Sequence, residues 1–139
     1  MDQKVKLMQV IHIALVIGVS LIYFVLGNVM NNFFNFNEFN ISSVPFLTIP
    51  IIAVFAGNFM FKNVIKTIKK EASLQHKLVT YQTASIIRWA ILEGASMIIL
   101  LIKPDLILIG ICLIFYMAFL RPTKEKIIQD LQLKTSDFK

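Results

Sequence analysis

Four long apolar blocks separated by short polar segments organise this chain. They cover about residues 7–27, 44–61, 83–102 and 106–120. A helix rising 1.5 Å per residue needs about 17–25 residues to cross the roughly 30 Å hydrocarbon layer of a bilayer. The first three blocks have that length. The fourth is shorter, but Arg121 at its end can snorkel to the headgroups and the bilayer can thin locally. The pattern predicts an all-α protein, a four-helix transmembrane bundle forming one integral membrane domain over residues 1–139.

The polar segments set the orientation. Twelve of the 14 Lys/Arg lie in three of them. Lys4 and Lys6 precede the first block. Lys62, Lys66, Lys69, Lys70 and Lys77 follow the second. Arg121, Lys124, Lys126, Lys134 and Lys139 follow the fourth. Residues 28–43 carry no Lys or Arg, and the last turn carries only Lys103. Cytoplasmic loops collect Lys and Arg, so both termini are expected in the cytoplasm, which requires an even number of crossings. The expected location is the inner (plasma) membrane.

Composition supports the same class. Apolar residues make up 57% and charged residues 16% of the 139, against about 45–50% and about 25% in a soluble domain. Mean hydropathy is +0.73. The net charge of +6 suits anionic headgroups in this distribution, and no nucleic-acid partner is expected. The expected partners are the lipid bilayer and a homo-oligomer or larger membrane complex. The first block is longer than a signal-peptide core and no small-x-small site follows it, so it reads as a span. The single cysteine, Cys112, excludes an intramolecular disulfide and reads as a small packing residue.

The connections differ in kind. Residues 28–43 are rich in Asn and Phe and suit the interface; they include the sequon Asn40-Ile41-Ser42. Lys103-Pro104-Asp105 reads as a tight turn closing an antiparallel helical hairpin. The helices of blocks two and three are expected to project beyond the membrane and meet near Glu71–Ser73. Residues 122–133 read as a short amphipathic cytoplasmic helix, with Ile127, Ile128 and Leu131 toward lipid. Pro50 should bend the second span or free a carbonyl. Three small-xxx-small pairs, Ala14/Gly18, Ala53/Gly57 and Ala90/Gly94, offer close helix approach.

Against this apolar background a few polar residues stand out. At 100° per residue, Gln9, His12, Ser20, Tyr23 and Gly27 share an arc of roughly 80° on the first span. Gln82, Ser85, Trp89, Glu93 and Ser96 share a similar arc on the third, with Arg88 at its edge. The two stripes are expected to face each other. His12, Asn58 and Arg88 fall at one depth, about five residues to the cytoplasmic side of midplane, and Glu93 falls near midplane. A carboxylate there costs at least about 2.5–3.5 kcal/mol unless a partner, water or a proton offsets it. Glu93 therefore has three readings: a hydrogen-bonding group that fixes packing, a proton or cation site, and a contact for a partner. His12 reads as a satisfied core histidine or a proton relay. Arg88 and Trp89 read first as interfacial anchors. Glu93, His12, Arg88, Asn58 and Ser96 form the candidate polar cluster.

No metal site is expected from two distant histidines, no cofactor is implied, and hydrolase, P-loop and dinucleotide motifs are absent. The chain reads as a non-enzyme.

Two resemblances enter on particular residues. The hairpin of blocks two and three, with its cytoplasmic polar loop and the run Ala90-Ile-Leu-Glu93-Gly-Ala, resembles the proteolipid c-subunit of rotary ATPases. That resemblance implies ion or proton binding at Glu93. This chain differs in having four blocks, a five-lysine loop and no dense glycine run in the first helix. The segment Tyr81 to Gly94, with Arg121-Pro-Thr-Lys-Glu-Lys126 and Asp130-Leu-Gln-Leu133, is similar to small uncharacterised four-span bacterial membrane proteins of the flavobacterial type. It implies an inner-membrane location and no activity. The expected function is a non-enzymatic accessory factor or complex subunit acting through helix–helix contacts. The alternative is a proton- or cation-coupled translocating unit with Glu93 as binding carboxylate, His12 as relay and Arg88 as tuning charge.

Overall fold

A computed structural model describes residues 2–27 and 41–133. The described residues are helical, with no strand among them. Five α-helices follow in order: α1 (Asp2–Leu26), α2 (Thr48–Lys66), α3 (Leu74–Ile102), α4 (Ile107–Phe119) and α5 (Lys124–Asp130). Short 3-10 segments, Ile41–Leu47 and Pro104–Leu106, lead into α2 and α4. Residues 28–40 of the expected interfacial loop, Asn40 of the sequon among them, lie outside the described residues.

α1, α3 and the continuous run Ile41–Lys66 are each long and apolar enough to cross a bilayer. The fourth block qualifies only if Pro104–Phe119 is counted together with α5, which it meets at 83°. Large apolar side chains point outward along the helices; Phe24, Phe55 and Phe119 are 64%, 73% and 78% exposed. Soluble monomers seldom display such an extent of apolar surface.

Local chemistry sets the breaks. Pro50 neither bends nor interrupts α2. The helix starts at Thr48, so Pro50 sits in the first turn, where its missing N–H has no intrahelical partner to lose. The Ser73 hydroxyl accepts the His76 N–H at 3.3 Å and caps α3. Residues 67–73 thus separate α2 from α3, close to the expected meeting point. After α3, the Leu106 N–H donates to the Lys103 carbonyl at 2.9 Å, and the chain reverses at Pro104 into α4. The buried Ser43 hydroxyl donates to the Asp105 carboxylate, tying the entry to α2 to this reversal.

α3 is the central helix and packs on α1, α2 and α4. Its buried positions include Leu78, Tyr81, Ser85, Trp89, Leu92, Ser96 and Ile99, a repeat of three and four residues that marks one helical face. The core has two parts. The larger gathers Val19, Tyr23, Ala53, Trp89, Leu92, Ile99, Leu113 and Met117. The smaller, at the end where α5 lies, gathers Val5, Met8, Phe61, Leu78, Tyr81, Ala84 and Ile127.

Three expectations are corrected. Ile127 faces the helices, not lipid: it is fully buried in the smaller core, and Leu131 packs there too. The sharp turn before α5, capped by the Thr123 hydroxyl, lays that helix across the bundle end. Cys112 is exposed on the outer face of α4 and packs no core. Of the three small-residue pairs, only Ala53/Gly57 is buried at a helix contact, where Gly57 lies against Arg88 of α3. Gly18 and Gly94 have no atom within 4 Å of where a Cβ would stand, and Ala14 and Ala90 are exposed.

The close approach of helices instead uses Gly110. A Cβ there would lie 2.7 Å from Tyr23 Cζ and 2.8 Å from Cε1, so the Tyr23 ring rests directly on the α4 backbone. Gly27 plays a similar part where α1 ends: a Cβ would come within 2.8 Å of Ile107 Cδ1.

Candidate functional site

The two polar stripes do meet. α1 and α3 pack together, and His12 lies against Trp89 with ring centroids 4.7 Å apart and planes tilted by 57°. One turn and more along, the Tyr23 hydroxyl donates to the Ser96 carbonyl. Ser20, at the edge of the α1 stripe, is exposed and returns its hydroxyl to the Val16 carbonyl at 2.7 Å.

His12 is buried and its Nε2 donates to the Met117 carbonyl at 2.8 Å. A carbonyl can only accept, so this bond fixes a proton on Nε2. The same carbonyl also accepts the Leu120 N–H at 3.0 Å where α4 ends, so it serves the cap and the cross-link together. Trp89 is fully buried beneath the imidazole, not anchored at an interface.

Arg88, about 100° around α3 from Trp89, faces α2. Its guanidinium lies 3.9 Å from the centroid of the Phe61 ring, a cation–π contact of about 0.5–2 kcal/mol depending on desolvation. Its stem runs over Gly57; a Cβ at Gly57 would stand 3.3 Å from Arg88 Cγ. Small Gly57 thus creates the groove that seats the arginine. Asn58, the next residue of α2, donates from Nδ2 to the Tyr116 hydroxyl at 2.9 Å and ties α2 to α4.

Glu93 stands apart from these groups. The Ser96 hydroxyl donates to the backbone carbonyl of Glu93 at 2.8 Å. Among the described residues, no hydrogen bond or ion pair reaches its carboxylate, which is half-buried at the margin between the packed and outer faces of α3. On that outer face the neighbouring positions are Ala90 and Gly94, both exposed. Four buried polar atoms are also without a partner: His12 Nδ1, Ser85 Oγ, Arg88 Nε and Trp89 Nε1.

The candidate residues therefore separate into pairs. His12 joins α1 to α4, Ser96 joins α3 to α1 through Tyr23, Asn58 joins α2 to α4, and Arg88 joins α3 to α2. Glu93 joins none of them. Gln9 of the α1 stripe donates to the Pro122 carbonyl at 2.9 Å. A further cross-link is not marked by the stripe pattern: Tyr81 donates to the Asp130 carboxylate at 2.9 Å. Tyr81 and Asp130 lie 49 positions apart in the chain, so helical spacing carries no signal of that pair. Among the described residues, no three His, Cys, Asp or Glu side chains converge as metal ligands. No protein family, curated protein or solved structure matches this chain.

Proposed function

We propose that this chain is a four-span inner-membrane protein with both termini in the cytoplasm, serving as a non-enzymatic accessory or subunit that acts through helix–helix contacts. One observation carries the reading. The other polar residues of the candidate cluster are engaged inside the bundle, whereas the Glu93 carboxylate is unpartnered beside the exposed Ala90 and Gly94. Small residues let a second helix approach closely in lipid, and a carboxylate at that depth needs a donor from somewhere. A helix from a partner supplies both. The outward apolar surface of α1, α2 and α3 and the lysine-rich segments support the membrane placement and orientation.

The test compares Glu93→Gln, Gly94→Leu and wild type by chemical cross-linking and co-purification from native membranes. Loss of association in Gly94→Leu with an intact monomer fold supports the reading. Unchanged association in both variants refutes it.

Proton or cation translocation is the second reading. Its support is the unpartnered Glu93 together with the orphaned buried atoms of His12, Ser85 and Trp89 on the adjoining face. Flux into liposomes that is abolished by Glu93→Gln favours it. Absence of flux in wild type rejects it.

A further inference from the structure

A cavity of about 860 Å³ opens at the bundle end where α2 stops and α3 begins. Lys62, Lys66, Lys69, Lys70 and Lys77 line it, and Asp130 of α5 is the carboxylate among its described lining residues. Asp130 already accepts the Tyr81 hydroxyl at 2.9 Å. Among the described residues, none of the five lysines forms an ion pair; the pair that does form, Lys124–Asp2 at 3.3 Å, lies outside the cavity lining. Lys77 donates to the Lys70 carbonyl at 2.8 Å and so holds one rim of the cavity in place. Five lysines gathered around a cavity with one carboxylate repel one another, and a polyanion relieves that repulsion.

The wall beside these charges is apolar. Phe61 and Ile65 of α2 and Leu131 after α5 contribute it. The ligand that matches cations set beside hydrocarbon is an amphiphile with an anionic head. Lysine is a point-charge donor suited to phosphate, and the volume lies in the range of small-ligand sites, far above that of a single phosphate group. The apolar run of α2 ends at Phe61, so the cavity begins where hydrocarbon gives way to headgroups. This placement rests on the membrane reading proposed above. We infer that the cavity binds a phospholipid carrying two headgroup phosphates, drawn from the cytoplasmic leaflet.

Native mass spectrometry of the detergent-purified chain tests this, using cardiolipin as the two-phosphate lipid and phosphatidylglycerol at equal total phosphate. Wild type should retain cardiolipin preferentially. Lys66→Gln/Lys69→Gln should weaken retention roughly 30-fold, from about 1 kcal/mol per lysine. Lys4→Gln/Lys6→Gln, which removes the same charge elsewhere, should leave it unchanged. All four lysines lie outside the buried cores, and circular dichroism verifies that both variants fold. Equal retention of the two lipids overturns the inference, as does equal loss in both variants. Stabilisation by inorganic pyrophosphate as strong as by cardiolipin overturns it in favour of a free-phosphate site. A chain that stays in carbonate-washed membranes but retains no cardiolipin refutes this inference alone. A chain released by carbonate refutes the membrane reading beneath it.

Discussion

Adding one methyl group at Gly110 tests the closest helix contact in this fold. The new Cβ would stand 2.7 Å from Tyr23 Cζ and closer still to the hydroxyl oxygen. The ring cannot slide away freely, because its hydroxyl is bonded to the Ser96 carbonyl and the residue is 2% exposed. Two responses are open. If Tyr23 stays, overpacking costs about 1–3 kcal/mol. If it swings aside, a buried hydroxyl loses its acceptor, at about 1–3 kcal/mol, and packing is lost as well. Against this, Ala improves on Gly in a helix by about 1 kcal/mol. Gly94→Ala gains that helical preference without any clash, since no atom lies within 4 Å of its Cβ position. The helical gain is common to both variants, so Gly110→Ala should be less stable than Gly94→Ala by about 1–3 kcal/mol. Equilibrium unfolding in mixed micelles with a rising SDS fraction measures both, followed by the fluorescence of Trp89, the single tryptophan. Tyr23→Phe in the Gly110→Ala background removes the nearest atom and should recover part of the loss, giving a coupling above about 0.5 kcal/mol. Equal midpoints for Gly110→Ala and Gly94→Ala would refute the packing argument.

Other outcomes follow from the same geometry. Glu93→Gln should change monomer stability by less than about 0.5 kcal/mol, because its carboxylate has no partner inside the chain; a loss above about 2 kcal/mol in the same unfolding assay would reveal an internal partner. His12→Ala should cost about 2–4 kcal/mol through its lost carbonyl bond and ring packing, and should shift Trp89 emission; unchanged emission contradicts the ring contact. Ile127→Ala should cost up to about 2–5 kcal/mol locally and speed hydrogen exchange in α5, with little effect at Leu92 or Ile99. Cys112 should react with a small maleimide in detergent and resist a charged, membrane-impermeant one in intact cells; ready labelling in cells rules out burial of that face in lipid.

Much of the helical layout is legible in residue order. Long apolar runs mark α1 and α3, Ser73 marks the start of α3, and Lys103-Pro104-Asp105 marks the reversal. Angular position also brings His12 and Tyr23 of α1 to the Trp89–Ser96 face of α3. Angle alone does not reveal which small residue sits at a contact. Ala14/Gly18 and Ala90/Gly94 carry the recognised spacing yet point outward, whereas the lone Gly110 receives an aromatic ring from another helix. Trp89 and Ile127 show a second limit. Each has the composition of an interface residue, and each is buried because a distant segment folds over it: α1 in the first case, α5 against several helices in the second. Glu93 shows a third. Its place beside the stripe is legible from helical spacing, but its separation from His12 and Arg88 depends on how α1 and α2 seat on α3, at the Met117 carbonyl and at Gly57.

The bonds that secure α1 have an unusual reach. Gln9 to Pro122 spans 113 positions, and His12 to Met117 spans 105. During synthesis α1 emerges more than 100 residues before these acceptors. A ribosome-bound intermediate would hold an imidazole and a carboxamide awaiting carbonyls that have not yet been made. Closure of the bundle is thereby deferred until translation has passed α4. Truncation after α3 should accordingly leave α1 held to α3 alone, through Tyr23 and the His12–Trp89 contact, a looser species for membrane proteases to clear.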